Sequence, residues 1–364
     1  MRLWEAYAFM AKILIKNGRV WDGERFLFAD VLTDGEVIAA LGRNIDQAAD
    51  VVLDASGKTV SPGLVDTHVH MRGISSAKYG MQAEMACLPF GVTAAIDAGA
   101  EYGDRALLDS FLVKNAVFIC TEIKGNRAVF SKTEALLKKY GDRVMGVKVY
   151  FDTTVSEAWD ITPLREICDF ALAKGLRVMV HCSHSPTPIR EILNALNRGD
   201  ILTHAFHGGQ NNAAEDAFES MKQAQARGVV IDAGFAGHMH TDFAVLQRAI
   251  ECGMLPDTIS TDITRLSAYT RGGRYGMTVC MSLARHLGMT EEDLFKAVTS
   301  NPARVLGKAD EWGFLRVGGA ADLAVLEDAE EGFSFTDRAG NTVECQNGYR
   351  CILTVVNGQI VYKH

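Results

Sequence analysis

This 364-residue chain lacks five things, and each absence counts against a class of function or location. No apolar run approaches the roughly 18 residues of a membrane-spanning helix. Positive charge is not in excess: 37 lysines and arginines face 45 acidic residues, a formal net charge of -8, and the basic residues are scattered. Neither nucleic acid nor an anionic membrane surface is therefore an expected partner. Among eight cysteines no Cys-x-x-Cys pair occurs, and Cys345 and Cys351 lack partners at zinc-site spacing, so the cysteines read as small buried hydrophobes in a reducing cytoplasm. No Gly-x-Gly-x-x-Gly or Walker loop follows any strand-like run, which counts against a nucleotide-binding open sheet. Met1 to Phe9 carry aromatic residues but neither an apolar core nor a small-residue cleavage site, and do not read as a signal peptide.

What is present is 48% hydrophobic, enough for one large domain and a small satellite. Both ends read as β-structure. Asn17-Gly18 lies between apolar runs within Ile13 to Gly23, a type I′ hairpin signal. Asp34-Gly35 stands likewise before Val37-Ile-Ala, and Asn357-Gly358 separates Leu353-Thr-Val-Val from Gln359-Ile-Val-Tyr. Neither end alone has strands enough to bury a sheet face. The expectation is one small β-sandwich domain built from residues 10–60 and 308–364, with residues 61–307 inserted between its halves.

The insert has another rhythm. Eight short apolar runs, from Leu64-Val-Asp-Thr-His-Val-His to Ile259-Ser-Thr-Asp, end near residues 70, 99, 123, 151, 183, 206, 235 and 264. Helical patterns lie between them, for example Pro163 to Lys174, Pro188 to Asn197 and Ala214 to Ala226. Near-continuous apolar strands alternating with helices indicate a parallel sheet buried on both faces, and eight units predict a closed (β/α)8 TIM barrel, an α/β fold. Thr290 with Asp293 marks a further helix start, and Asn301-Pro302 reads as N-cap and N1 of another helix that Gly307 closes.

Eight of the ten histidines fall at or just beyond predicted strand C-termini, the face on which such barrels build active sites. His68 and His70 are two apart on a strand and project to one side, where they could bind one metal ion. Asp66 faces the same way as a weak ligand or an outer acceptor. His181 and His204 end the fifth and sixth strands and are expected as ligands. His184 and His207, three residues on, fall in the following loops and are expected to contact substrate.

Lys148 sits inside an apolar strand with no adjacent acid. Desolvation lowers the pKa of such an amine, and a neutral amine can take up carbon dioxide as an anionic carbamate able to bridge two metals. An ion pair with Asp97 or Asp232 is the alternative. Asp262 ends the eighth strand, where a carboxylate can bind metal and take a proton from metal-bound water, or simply cap a helix.

The ordered set resembles the amidohydrolase superfamily in its binuclear, carboxylated-lysine subtype. The likeness runs from Asp54-Ala-Ser-Gly-Lys and Pro62-Gly-Leu-Val-Asp-Thr-His-Val-His through Lys148, His181, His204 and Asp262. It continues to Asn301-Pro-Ala and Gly318-Gly-Ala-Ala-Asp-Leu-Ala-Val. Thr93-Ala-Ala-Ile-Asp-Ala-Gly, Gly199-Asp-Ile-Leu-Thr-His and Asp257-Thr-Ile-Ser-Thr-Asp are similar to the dihydroorotase-like deacetylase branch. The resemblance implies two divalent ions, expected to be zinc although Mn, Co, Ni and Fe suit related donors. His68, His70 and Asp262 would hold one ion, His181 and His204 the other, and carboxylated Lys148 would bridge them. His207 and Phe235 depart from the branch, which tends to have Asn and His there.

The implied activity is hydrolysis of an amide or ester in a small, carboxylate-bearing substrate by a metal-bridging hydroxide, with Asp262 as the catalytic proton acceptor. His184, His207, His238, His240, Tyr150, Arg265 and Arg271 are the candidate substrate contacts, and Thr270 to Gly276 reads as a loop at the barrel mouth. The alternative is a cyclic amide hydrolase of dihydroorotase or hydantoinase type. A mononuclear deaminase is disfavoured by His184, where such enzymes carry Glu, and a non-catalytic scaffold by the filled ligand positions. The resemblance is also compatible with a homodimer or larger assembly.

Overall fold

The computed structural model describes residues 11–75, 78–269, 274–329 and 331–364. Its strands in chain order are β1 (Ile13–Trp21), β2 (Phe26–Asp34), β3 (Val37–Gly42), β4 (Val51–Asp54), β5 (Thr59–Pro62) and β6 (Leu64–Val69). Next come β7 (Val92–Ala100), β8 (Lys114–Lys124), β9 (Arg127–Val129), β10 (Val144–Tyr150), β11 (Arg177–His181), β12 (Ile201–Thr203) and β13 (Val230–Ile231). The chain closes with β14 (Leu323–Asp328), β15 (Phe333–Thr336), β16 (Thr342–Cys345), β17 (Tyr349–Val356) and β18 (Gln359–Lys363).

The two ends of the chain meet in one mixed sheet, ordered β18-β17-β14-β5-β1-β2-β3 with β4 on β1. The junction is β5, parallel to β1 and antiparallel to β14. Ile13, Val31, Val60, Leu323 and Val355 from both ends share one buried cluster, so neither end has to bury a face alone. Asp34↔Val37 and Val356↔Gln359 close two-residue hairpins where Asp34-Gly35 and Asn357-Gly358 predicted them. Asn17-Gly18 makes no hairpin. β1 runs straight through it, and the pairing with β2 slips between Ile15 and Gly18. Asn17 takes the left-handed conformation (φ 61°), and its side-chain amide donates to Asp54, so the same residue pair makes a bulge here instead of a turn.

The second sheet is parallel and sequential, β6-β7-β8-β10-β11-β12-β13, with the short β9 antiparallel on β8. An eighth segment joins its edges. Ala233 and Phe235 donate to the carbonyls of Thr258 and Ser260, while Asp262 donates to His68 and His70 to Ile263. Alternation sorts the side chains. Val65, Ile96, Phe118, Met179 and Ile201 share an inner cluster with Ala303, Leu306 and Trp312, while Val117, Val147, Val178, Val180 and Leu202 belong to the cluster that includes the helices. Gly63, where the chain enters β6, lies so close to Thr93 that no Cβ would fit.

Helices occupy Thr162–Ala173 and Ile189–Ala195, close to the predicted stretches. The third begins late, at Glu219, because Ala217 and Phe218 are left-handed after a short 3-10 turn over Ala213–Asp216. Thr290 caps Glu291–Val298 by accepting from the Asp293 amide. The next helix starts at Ser300, so Asn301 is not its cap, and the Asn301 amide instead bonds the Asp257 carbonyl. No described helix is long and apolar enough to cross a membrane.

Candidate metal centre

Strand register delivers the first donors. Met179 lies in the inner cluster, so His181, two residues on, points the same way, as does Lys148 two residues beyond Gly146. Two others break alternation to reach the same place. His204 follows the last residue of β12 with φ 59°, and Asp262 has φ 48°. Left-handed backbone costs roughly 1–2 kcal/mol per residue outside glycine. Backbone bonds from Ala205 to Asp232 and from Asp262 to His68 hold these turns in place.

Five imidazoles converge, and each has one ring nitrogen tied to a fixed partner. His68 Nδ1 meets Thr203 Oγ1 at 3.0 Å, His70 Nδ1 meets Ser75 Oγ at 3.1 Å, and His181 Nε2 meets Asp152 Oδ2 at 2.9 Å. His204 Nδ1 donates to the Gly234 carbonyl at 2.6 Å, and His240 Nδ1 meets Ser183 Oγ at 2.9 Å. A Cβ on Gly234 would lie 2.7 Å from that His204 nitrogen, so glycine is needed there. The other nitrogens turn inward. Asp262 Oδ1 is 2.9 Å from His70 Nε2 and 3.2 Å from His68 Nε2, and the buried His204 Nε2 has no hydrogen-bond partner. Two triads have mutually close donor atoms: His68, His204 and Asp262, and His181, His204 and His240. Imidazoles anchored at one nitrogen, with the other turned toward a shared buried carboxylate, fit a metal centre.

Charge states agree with that use. Burial holds the His68 and His204 imidazoles well below their usual pKa, the neutral form that ligates. Burial alone would raise the Asp262 carboxyl, but the neighbouring His68 and His70 rings outweigh it and hold the acid well below the usual carboxylate range. Burial also lowers the Lys148 amine to about 8, against the pull of Asp262 and Asp232. No carboxylate pairs with Lys148 among the described residues. Its Nζ is 3.1 Å from His68 Nε2. Asp232 instead accepts from the hydroxyls of Thr203, Thr258 and Ser260, and Asp97 from Ser75 Oγ and the Met71 amide. Asp66 faces the eighth segment, accepting from the Thr261 amide and hydroxyl, and burial raises it to about 7.

The expected substrate contacts scatter. Tyr150 is half-buried at the strand end, its ring 5.6 Å from His181. His184 donates from Nδ1 to Asp152 at 3.0 Å and receives the Arg338 guanidinium at Nε2, 2.7 Å away. His207 is fully buried; burial and then Arg338 lower it to about 3, and its Nδ1 accepts from the Gly209 amide. His238 has a buried Nδ1 without a partner. His240 lies against two of the candidate donors, its ring 4.1 Å from His204 and 4.8 Å from His181. Arg265 is exposed, with its guanidinium on the Lys78 carbonyl. Arg271 and the rest of 270–273 lie outside the described residues.

Two contributors were not expected from the sequence. Asp152, two residues past β10, joins His181 to His184; an acid just beyond a strand end was its available signal. Arg338 comes from the turn between β15 and β16, which the sequence assigns to the terminal β-domain. That turn docks on the barrel through Asp337 to the Phe243 amide and Arg338 to the Thr241 carbonyl.

The sequence model of the amidohydrolase family matches residues 59–361. The chain belongs to the amidohydrolase family. A deacetylase of Enterococcus faecalis is 30% identical over 96% of this chain and 98% of its own length. Among solved structures, a dihydroorotase superposes with TM-score 0.86 at 24% identity, covering 97% of this chain and 98% of its own. An adenine deaminase does so with TM-score 0.84 at 27% identity, covering 97% and 99%. Such neighbours with different named chemistries show that the amidohydrolase fold leaves the substrate open. Family membership makes this chain a hydrolase acting on carbon–nitrogen bonds, and its donor groups can hold metal.

Proposed function

We propose that the chain removes an acyl group from a small, carboxylate-bearing amide or ester, using two divalent ions held by His68, His70, Lys148, His181, His204 and Asp262. The observation that carries this reading is the buried Asp262 carboxylate, within 3.2 Å of the inward nitrogens of His68 and His70, amid imidazoles that are each anchored from behind. Imidazole and carboxylate donors suit zinc. Lys148 would serve as its carbamate: the neutral amine bonds to the carbon of carbon dioxide and releases a proton, which would leave an anionic donor where the structure has a buried amine without a carboxylate partner.

When bound, the ions would lower the pKa of a water molecule and polarise the carbonyl oxygen. Asp262 takes the proton of the attacking water and returns it to the leaving nitrogen or oxygen. Asp152 holds His181 in one tautomer by accepting from Nε2, which leaves Nδ1 for the ion. Tyr150 and His184 flank His181, one through its ring and the other through Asp152, and position the acyl substrate. The likeness to a deacetylase along nearly its whole length favours an acyclic amide or ester over a cyclic one.

We also infer a division into a barrel over 61–307 and a terminal β-sandwich, the latter supported by the cluster shared between both chain ends. A cytoplasmic location accords with eight free cysteines. The test of function is metal-replete protein offered N-acyl-amino acids, acyl-hydroxy acids and cyclic ureides. Two ions per chain and turnover of the first or second class are expected; turnover that persists after chelation would overturn the reading.

A further inference from the structure

We propose that His240 is a third imidazole ligand, through Nε2, of the ion held by His181 and His204. This rests on the metal-centre reading above and adds a donor to it. The sequence alone places His240 in a loop, four residues after Ala236, with nothing to distinguish it from His238.

Geometry separates the two. The donor atoms of His181, His204 and His240 all lie within 4.8 Å of one another. His240 Nδ1 is engaged by Ser183 Oγ at 2.9 Å, which leaves Nε2 facing the centre, 3.8 Å from Asp262 Oδ2. This is the pattern of the other four rings, one nitrogen anchored and one directed inward, and an anchored outer nitrogen is the usual accompaniment of a metal-binding histidine. His238 belongs to neither group of close donors.

The backbone that carries His240 turns back over the site. Gly234, Ala236 and Gly237 all have positive φ, at 52°, 54° and 63°. For alanine that conformation costs roughly 1–2 kcal/mol. The turn is secured from three sides. Phe235 and Ala236 donate to the carbonyls of Ser260 and Thr261, Met239 donates to Ala236, and Thr241 bridges to His207 while accepting from the Arg338 amide. A plain connection from β13 to the helix Phe243–Glu251 needs no such reversal. Its result is an imidazole of which 17% remains exposed, set against His181 and His204. A ring placed for substrate alone would not need its nitrogen within ligand reach of two others.

The test uses full-length wild-type protein, His240→Ala and His240→Phe, each loaded with Co(II) in bicarbonate buffer. Two readouts are taken: ions retained per chain during equilibration against increasing dipicolinate, and the visible absorption of the bound cobalt. Both variants should release one of the two ions at a chelator concentration at least about tenfold lower than wild type, with a changed cobalt band, while the other ion is retained as before. His240→Phe keeps a ring in the space, so it decides the matter if His240→Ala folds poorly. Retention within twofold of wild type and an unchanged cobalt spectrum in His240→Phe would overturn the proposal. Wild-type protein that binds fewer than two ions would instead overturn the binuclear reading on which it rests.

Discussion

The histidines at the strand ends and those in the loops just beyond them behave differently. His68, His70, His181 and His204 are all buried, each with one nitrogen on a rigid partner and the other turned toward Asp262 or its neighbours. The four loop histidines meet four fates. His184 faces Asp152 and Arg338, His207 is sealed beneath its own loop, His238 has no partner for its buried nitrogen, and His240 folds back among the donors. A strand neighbour is aimed by hydrogen bonds on both sides. A loop residue is aimed by whatever the loop docks on, and here that includes a hairpin from the far end of the chain.

If the strand-end set carries the chemistry, damage there should exceed damage in the loops. Asp262→Asn should lower kcat by about 100- to 10,000-fold, measured under saturating metal so that lost proton transfer is separated from lost ion. Asp152→Asn, which loosens His181 without removing a donor, should weaken retention of one ion by about 10- to 100-fold, read by chelator competition.

The Lys148 amine gives a pH-dependent effect. Its neutral form reacts with carbon dioxide, and the pKa is lowered to about 8, from an ordinary lysine value of about 10.4. Reactivation of metal-free protein at fixed dissolved carbon dioxide should therefore accelerate about tenfold per pH unit up to 8 and level off above it. A rate still climbing at pH 10 would mean an unperturbed amine. The smallest effect is expected at the hairpin. Arg338→Ala should raise KM a few-fold, by an estimated 1 kcal/mol or so for a half-exposed contact, with kcat nearly unchanged. A loss in kcat as large as that of Asp262→Asn would erase the distinction between strand ends and loops.

Much of this was legible beforehand because period-2 alternation is a local property. The eight apolar runs named the staves, and residues within or at the ends of them named Lys148, His181 and Asp262 as candidates without any knowledge of neighbours. Local signals failed where two structures satisfy the same residues. Asn17-Gly18 suits a bulge as well as a turn, and Asn301 finds a better acceptor in Asp257 than a helix start would offer it. Asp152 was readable only as an acid past a strand. Arg338 was not readable at all, because it lies 154 residues from the His184 it touches.

By itself, then, the sequence determined the staves, the kinds of side chain they present and the family, since strand direction and side-chain chemistry are set within a few residues. Only the tertiary structure decided that His204 and Asp262 turn inward on left-handed backbone, that His240 joins them, and that a C-terminal hairpin reaches the barrel mouth. Those outcomes depend on contacts between segments far apart in the chain, and no local pattern encodes which of them forms.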